Sequence, residues 1–299
     1  MDGFALDWAD LSQLHVVARQ VAEGLYAGGH RSRQRGSGIE FGGHRNYLPG
    51  DDLRFIDHRA LLRHGKLLIR QFEMDTDRSV HFMVDRSASM AFASTPLGTK
   101  YAYSALQVAA LSRVANHSGD PISLSWLGAS TTPGFRPSQG KEAFERMLAS
   151  LAETAPGGDY FEDSEDWNRS LAAVRRWSRP GSIILLISDL FDLPTHAVDN
   201  LASLSASGRQ VVVAQILDPA ERDFQFDGAV KLRSSEGNIR IETDSLTARE
   251  AYLEALRSLA QRWSERLLSS GGNFVRATTT DDPMATVLAI LSAIEGRRP

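Results

Sequence analysis

Ser79-Val80-His81-Phe82-Met83-Val84-Asp85-Arg86-Ser87-Ala88-Ser89 is the stretch whose reading decides the fold. A short apolar run bounded by polar neighbours predicts a buried strand over 80–84. It passes directly into three oxygen-bearing side chains at alternate positions, Asp85, Ser87 and Ser89. A second passage of this kind lies downstream, where the very apolar run Ile183-Ile184-Leu185-Leu186-Ile187-Ser188 also ends on a carboxylate, Asp189. Between and beyond these runs, helical spacing covers 99–117, 141–153, 164–178 and 195–207. Strands are expected at 122–127 and 210–217, with a short edge strand over 131–136. Two short strands around Ser234–Asn238 read as a hairpin, followed by a long helix over 247–270, a last strand over 273–277 and a last helix over 282–294. Strands that alternate with helices give a mainly parallel sheet covered on both faces, a three-layer α/β fold. Ligands in such sheets collect beyond the carboxyl ends of the strands, so Asp85 and Asp189 are expected at one rim.

Upstream, Leu11, Leu14, Val17, Ala18, Val21 and Leu25 fall on one face of a helix over 9–26 that ends near Gly28-Gly29. The basic stretch His30–Gly38 reads as a solvated loop. Residues 44–73 mix charge and apolar side chains without clean periodicity. A turn at Pro49-Gly50, a short helix near 57–64 and a strand over 66–73 are expected. This divides the chain into residues 1–78, an N-terminal helix with an extension, and residues 79–299, the α/β domain.

The 299 residues are 42% hydrophobic and 23% charged with a net charge of -4, an ordinary globular balance without the basic excess of a nucleic-acid binder. With no cysteine, disulfides, thiolate metal sites and cysteine nucleophiles are excluded. The first residues are acidic, and no run approaches the roughly 18 apolar residues of a bilayer span. A soluble, cytoplasmic protein without a membrane span is therefore expected. Catalytic signatures are absent: no phosphate-binding glycine loop with its lysine and hydroxyl, no H-E-x-x-H, no nucleophile elbow. The eight histidines are scattered, and His81, inside a strand, is expected to be structural.

The Asp85 loop has a specific chemistry. Hard cations such as Mg²⁺ take oxygen ligands in octahedral geometry and keep some waters. One carboxylate with two hydroxyls is a weak cage that needs help from another loop. The plainer alternative is that Asp85, Ser87 and Ser89 cap backbone groups in a turn at a helix start. Asp85-x-Ser87-x-Ser89 after an apolar strand, with Ile187-Ser188-Asp189 downstream, resembles the metal-ion-dependent adhesion site of von Willebrand factor A domains, over roughly residues 79 to 295. That resemblance implies a von Willebrand A-like (Rossmann-type) fold. It also implies a cation, Mg²⁺ or else Mn²⁺ or Ca²⁺, bound directly or through water, with a partner's Glu or Asp in the open position. The family completes its site with a threonine from a Gly-Gly-Thr-like loop and an aspartate. Asp189 matches the aspartate. The other loop reads Gly157-Gly158-Asp159-Tyr160, so Asp159 or Ser164 is left to take the threonine's place, and the spacing leaves both open.

The segment Arg45-Asn46-Tyr47-Leu48-Pro49-Gly50-Asp51-Asp52-Leu53-Arg54-Phe55-Ile56-Asp57-His58-Arg59 resembles the signature R-x-Y-x-x-G-D-D-x-R-x-I-D-W of the DUF58 family. His58 stands at the usual tryptophan and Leu62-Arg63 at the usual Ala-Arg pair. Its charges suit either an ion-pair network that fixes an irregular loop or a docking surface formed by Arg45, Tyr47, Asp51, Asp52, Arg54 and Asp57. The DUF58 resemblance implies a non-enzymatic adaptor that works with a MoxR-type AAA+ ATPase on a client protein, in protein maturation or complex assembly. A second reading keeps the carboxylates Asp85, Asp159 and Asp189 as the metal-holding set of a phosphoesterase.

Overall fold

The computed structural model describes residues 14–27, 40–46, 68–73, 78–128, 134–157, 164–226, 229–233 and 240–296. In chain order the elements are α1 (Leu14–Ala27), β1 (Glu40–Asn46), β2 (Leu68–Glu73), β3 (Val80–Asp85), a 3-10 turn (Ala88–Ala91), α2 (Lys100–His117), β4 (Ile122–Leu127), β5 (Phe135–Ser138), α3 (Lys141–Glu153), α4 (Ser164–Trp177) and β6 (Ile183–Ser188). They continue with α5 (Ala197–Ala206), β7 (Gln210–Leu217), α6 (Pro219–Asp223), β8 (Ala229–Arg233), β9 (Arg240–Asp244), α7 (Ser245–Leu268), β10 (Asn273–Thr278) and α8 (Pro283–Ile294).

Six strands form one sheet in the order β10-β7-β6-β3-β4-β5. Every neighbouring pair is parallel except the edge pair β4–β5. β3 and β6 are central, and every residue of both is buried. The strand period of two splits their side chains between two cores. Phe82, Val84, Ile183, Leu185 and Ile187 pack under helices α1, α2, α3 and α8, whereas Met83, Ile184 and Leu186 pack with Trp167, Leu171, Val198, Leu201 and Trp263 of α4, α5 and α7. The protein thus has the expected three-layer, von Willebrand A-like α/β fold. A sheet covered on both faces explains why β6 and β7 are dominated by apolar residues at consecutive positions.

Two expectations are corrected. Contacts divide the chain into a unit of residues 1–30 with 78–299 and a second unit of residues 31–77. Leu14, Ala18 and Val21 of α1, spaced four and three apart, are buried in the core over α2. The N-terminal helix therefore belongs with the sheet rather than with an extension covering 1–78. In the second unit, β1 and β2 form an antiparallel pair with a bulge between Phe41 and Gly43. Strand β1 was not expected, because Gly42 and Gly43 dilute its pattern. The expected helix near 57–64 and turn at Pro49-Gly50 lie outside the described residues.

His81, buried in β3, is held on both ring nitrogens: Nε2 lies 2.7 Å from Ser79 Oγ and Nδ1 2.7 Å from Ser123 Oγ. Burial, aided by the charge of Arg209, pushes its pKa down to about 4. The fold therefore holds neutral imidazole. The stability this contributes is complete above the unfolded value near 6.5 and is lost as the pH falls toward 4. The full loss is on the order of 3 kcal/mol. Urea unfolding of His81→Asn across that pH range is expected to lack this loss with acid, so that its stability relative to the wild type rises as the pH falls. Parallel profiles would exclude His81 as a source of acid sensitivity.

Candidate functional site

The carboxyl ends of β3 and β6 bring the two sequence-singled carboxylates to one rim, and Asp85, Ser87, Ser188 and Asp189 are all fully buried there. Asp85 is fixed at both oxygens: Oδ1 accepts the backbone N–H of Ser87 at 2.8 Å, and Oδ2 accepts the hydroxyl of Ser188 at 2.5 Å. The Ser188 hydroxyl in turn accepts the N–H of Leu190 at 2.8 Å. Leu190, with φ of 71°, sits in the left-handed region that a leucine rarely occupies. Such strain gathers where the surroundings over-determine a loop, and this one turns Asp189 toward the rim.

The hydroxyls of Ser87 and Ser89 are hydrogen-bonded to each other, with their oxygens 3.0 Å apart. Neighbouring oxygens around an octahedral Mg²⁺, with bonds of about 2.0–2.1 Å, stand roughly 2.9 Å apart. The two hydroxyls therefore have the separation of adjacent ligands. Asp85 has lone pairs left on both oxygens, since each accepts one bond named above. These three side chains fit a hard cation.

Electrostatics point the same way. Asp85, Asp189, Asp218 and Glu221 are all buried at the carboxyl ends of β3, β6 and β7, and the ammonium of Lys100 contacts two of them, Asp189 and Glu221. Burial first, and the Asp189 charge second, push the Asp85 carboxyl up to about 7. Negative charge in excess at a buried rim favours a bound cation.

The loop is seated by its backbone. The Arg86 N–H donates to Leu127 O at 2.9 Å, and Gly157 N–H donates to Arg86 O at 2.6 Å. The second contact brings the start of the Gly157-Gly158-Asp159 loop beside the Asp85 loop. Asp159 itself lies outside the described residues, and Ser164 opens α4. Gly128, at the end of β4, has φ of 93°, and a Cβ there would meet Ser87 N at 3.0 Å and Ser87 Cα at 3.1 Å. Gly128→Ala combines a left-handed backbone with displacement of Ser87. It is expected to lower stability by about 1–3 kcal/mol and to weaken Mg²⁺ binding in the same protein. A calorimetric titration matching the wild type would show that the Ser87 backbone tolerates the shift.

Several residues at the rim were not singled out in the sequence. Lys100, at the first turn of α2, is fully buried and donates to Asp189 Oδ2 at 2.7 Å and Glu221 Oε1 at 2.6 Å. Its ammonium also stands 5.1 Å from the centroid of the Phe191 ring. Burial alone would lower the Lys100 pKa, but Asp189 and Glu221 more than reverse this and the net shift is upward. The other Asp189 oxygen accepts the N–H of Phe191 at 3.0 Å. Asp218 caps α6, accepting the Ala220 N–H at 2.8 Å, and binds the backbone N–H of Ser94 at 2.8 Å and its hydroxyl. Glu221 Oε2 closes the capping box on Asp218 N at 3.1 Å. That box was legible as Asp218-Pro219-Ala220-Glu221. Lys100 left a fainter signal, a cation in the first turn of a helix, where the macrodipole disfavours it.

Of the segment expected to dock a partner, Arg45 lies in β1 opposite Ile69. Tyr47, Asp51, Asp52, Arg54 and Asp57 lie outside the described residues.

Comparison with known proteins gives one family: that described as "Protein of unknown function DUF58" matches residues 43–262. No curated protein matches the chain. Among solved structures, the chain is similar to BatB from Bacteroides thetaiotaomicron, at 14% identity and a TM-score of 0.43, covering 73% of this chain and 99% of that one. It is similar to an aerotolerance-related membrane protein from Bacteroides fragilis at 17% identity and a TM-score of 0.44, with the same two coverages, 73% and 99%. A von Willebrand factor type A protein from Catenulispora acidiphila is 16% identical with a TM-score of 0.33, covering 61% of this chain and 42% of that one. The fold assignment rests on the strand order rather than on these scores. The expectation of a cytoplasmic protein is corrected, since the Bacteroides fragilis protein is by its own description a membrane protein. Among the described residues no helix is long and apolar enough to cross a membrane, which by itself assigns no location.

Proposed function

This chain belongs to the DUF58 family, and from that premise we propose that it is a non-enzymatic interaction protein whose contact point is the rim at Asp85, Ser87, Ser89 and Asp189. The observation that carries the reading is the pair of hydroxyls on Ser87 and Ser89, 3.0 Å apart beside a buried carboxylate. These residues, with Asp159 as the third-loop contribution, would hold a divalent cation, preferably Mg²⁺. The cation supplies positive charge and an open coordination position for a carboxylate of the partner. The residues of this chain do the rest: Ser188 and the Ser87 N–H orient Asp85, and β3 and β6 fix the rim so that little is ordered on binding.

The partner proposed is a MoxR-type AAA+ ATPase, with a client protein presented to it. The segment at Arg45, Tyr47, Asp51, Asp52, Arg54 and Asp57 serves as a second docking surface. The reading is tested with the purified chain and the purified ATPase, by sedimentation in Mg²⁺ and in EDTA. A complex that forms in Mg²⁺, dissolves in EDTA and is absent for Ser87→Ala/Ser89→Ala is the expected result. A complex indifferent to both changes would remove the cation from the interface.

A further inference from the structure

Asp189 is not a free carboxylate. One oxygen carries the Lys100 ammonium at 2.7 Å and the other accepts the Phe191 N–H. Any cation held by the Asp85 loop and drawn to Asp189 meets a buried positive charge already bonded there. In a site shielded from water this repulsion is poorly screened.

Lys100 also has somewhere else to stay. Glu221 holds it at 2.6 Å from α6, and the Phe191 ring offers it a π face at 5.1 Å. Glu221 is itself anchored through its second oxygen on Asp218 N. The ammonium can therefore give up Asp189 without being left unpaired, and Asp189 can turn to a cation without leaving a bare buried lysine.

On the reading that the Asp85 loop holds a divalent cation, we infer that Lys100 and that cation compete for Asp189. Lys100 is then a positioning residue that sets how tightly the site binds its cation. In the lysine-bound state Asp189 is neutralised from within. In the cation-bound state Asp189 joins Asp85, and Lys100 rests on Glu221 alone. Because α6 follows β7 directly and Asp218 ties it to Ser94, the exchange links cation occupancy to the β7–α6 corner.

The test is calorimetric titration of the full chain with MgCl₂, using wild type, Lys100→Met, Glu221→Gln and Asp85→Asn. Lys100→Met is expected to bind Mg²⁺ at least tenfold more tightly than wild type. Glu221→Gln, which leaves Lys100 to Asp189 alone, is expected to bind severalfold more weakly. A lysine with only a structural role would change the melting temperature of both variants and neither affinity. Equal or weaker binding in Lys100→Met overturns the inference. Should Lys100→Met not fold, unchanged or tighter binding in Glu221→Gln overturns it. Asp85→Asn separates this from the cation site itself. If Asp85→Asn keeps the Mg²⁺ heat, the site reading fails and the competition with it. If Asp85→Asn loses the heat while Lys100→Met matches wild type, the competition alone fails.

Discussion

Asp85→Asn is expected to make the protein more stable, by roughly 2–4 kcal/mol at pH 8 in chelated buffer. The fold lifts the Asp85 carboxyl to about 7 from an ordinary value of 3.8, by burial and by the Asp189 charge. A raised carboxyl means that the folded state prefers the neutral form. The associated stability is complete below 3.8 and is lost as the pH rises through 7. Asparagine removes the charge and keeps the shape. Its carbonyl still accepts the Ser87 N–H, and its amide can donate to the Ser188 hydroxyl, which the wild-type carboxylate accepts. Chemical denaturation at pH 8 reads the gain directly, and a variant less stable than wild type would contradict the account of Asp85 as a strained charge. The same substitution exposes His81. From about pH 4 to 6.5 the Asp85 and His81 contributions run in opposite senses, so wild-type stability is expected to be nearly flat there, and that of Asp85→Asn to fall with acid.

Lys100→Met runs the other way. In chelated buffer it is expected to cost about 3–5 kcal/mol, because removing one member of a buried ion-pair network leaves charge without a partner. Asp189 and Glu221 both lose the ammonium that bridges them, and both are buried. Mg²⁺ is expected to restore more stability to this variant than to the wild type, since it supplies positive charge where the lysine was lost. Melting curves with EDTA and with MgCl₂ measure both effects. A melting temperature within a degree or two of wild type in EDTA would mean that the carboxylates find protons or water at little cost.

The elements that sequence patterns located best are those whose environment is uniform. β4, β6, β7 and α3 occupy the expected residues because each has a regular apolar pattern: consecutive apolar residues in β6 and β7, alternation in β4 and helical spacing in α3. The edge strand β5 lies at Phe135–Ser138 rather than over 131–136, since an edge has one neighbour and little pattern to hold it. α6, five residues long, is too short for periodicity to register, although its capping box was spelled out. At the rim, Asp85, Ser87 and Ser89 were legible because a loop places them within five residues. Asp189 was legible because a second apolar strand ends on it. Lys100 was not, because its two partners are 89 and 121 positions away, and only the stacking of β3, β6 and β7 brings α2 and α6 together. Gly128 was missed for the same reason, since its need for a bare Cα comes from Ser87 in the neighbouring strand's loop.

On the proposed function, the protein is an interaction module whose buried negative charge a cation would complete. The most direct measurement of that claim is a calorimetric Mg²⁺ titration of the wild type beside Ser87→Ala/Ser89→Ala, two substitutions that remove the paired hydroxyls and leave every buried charge in place. One-site binding in the wild type that disappears in the folded double variant is the predicted result. Identical heats in the two proteins, or no Mg²⁺ heat in either, would contradict it.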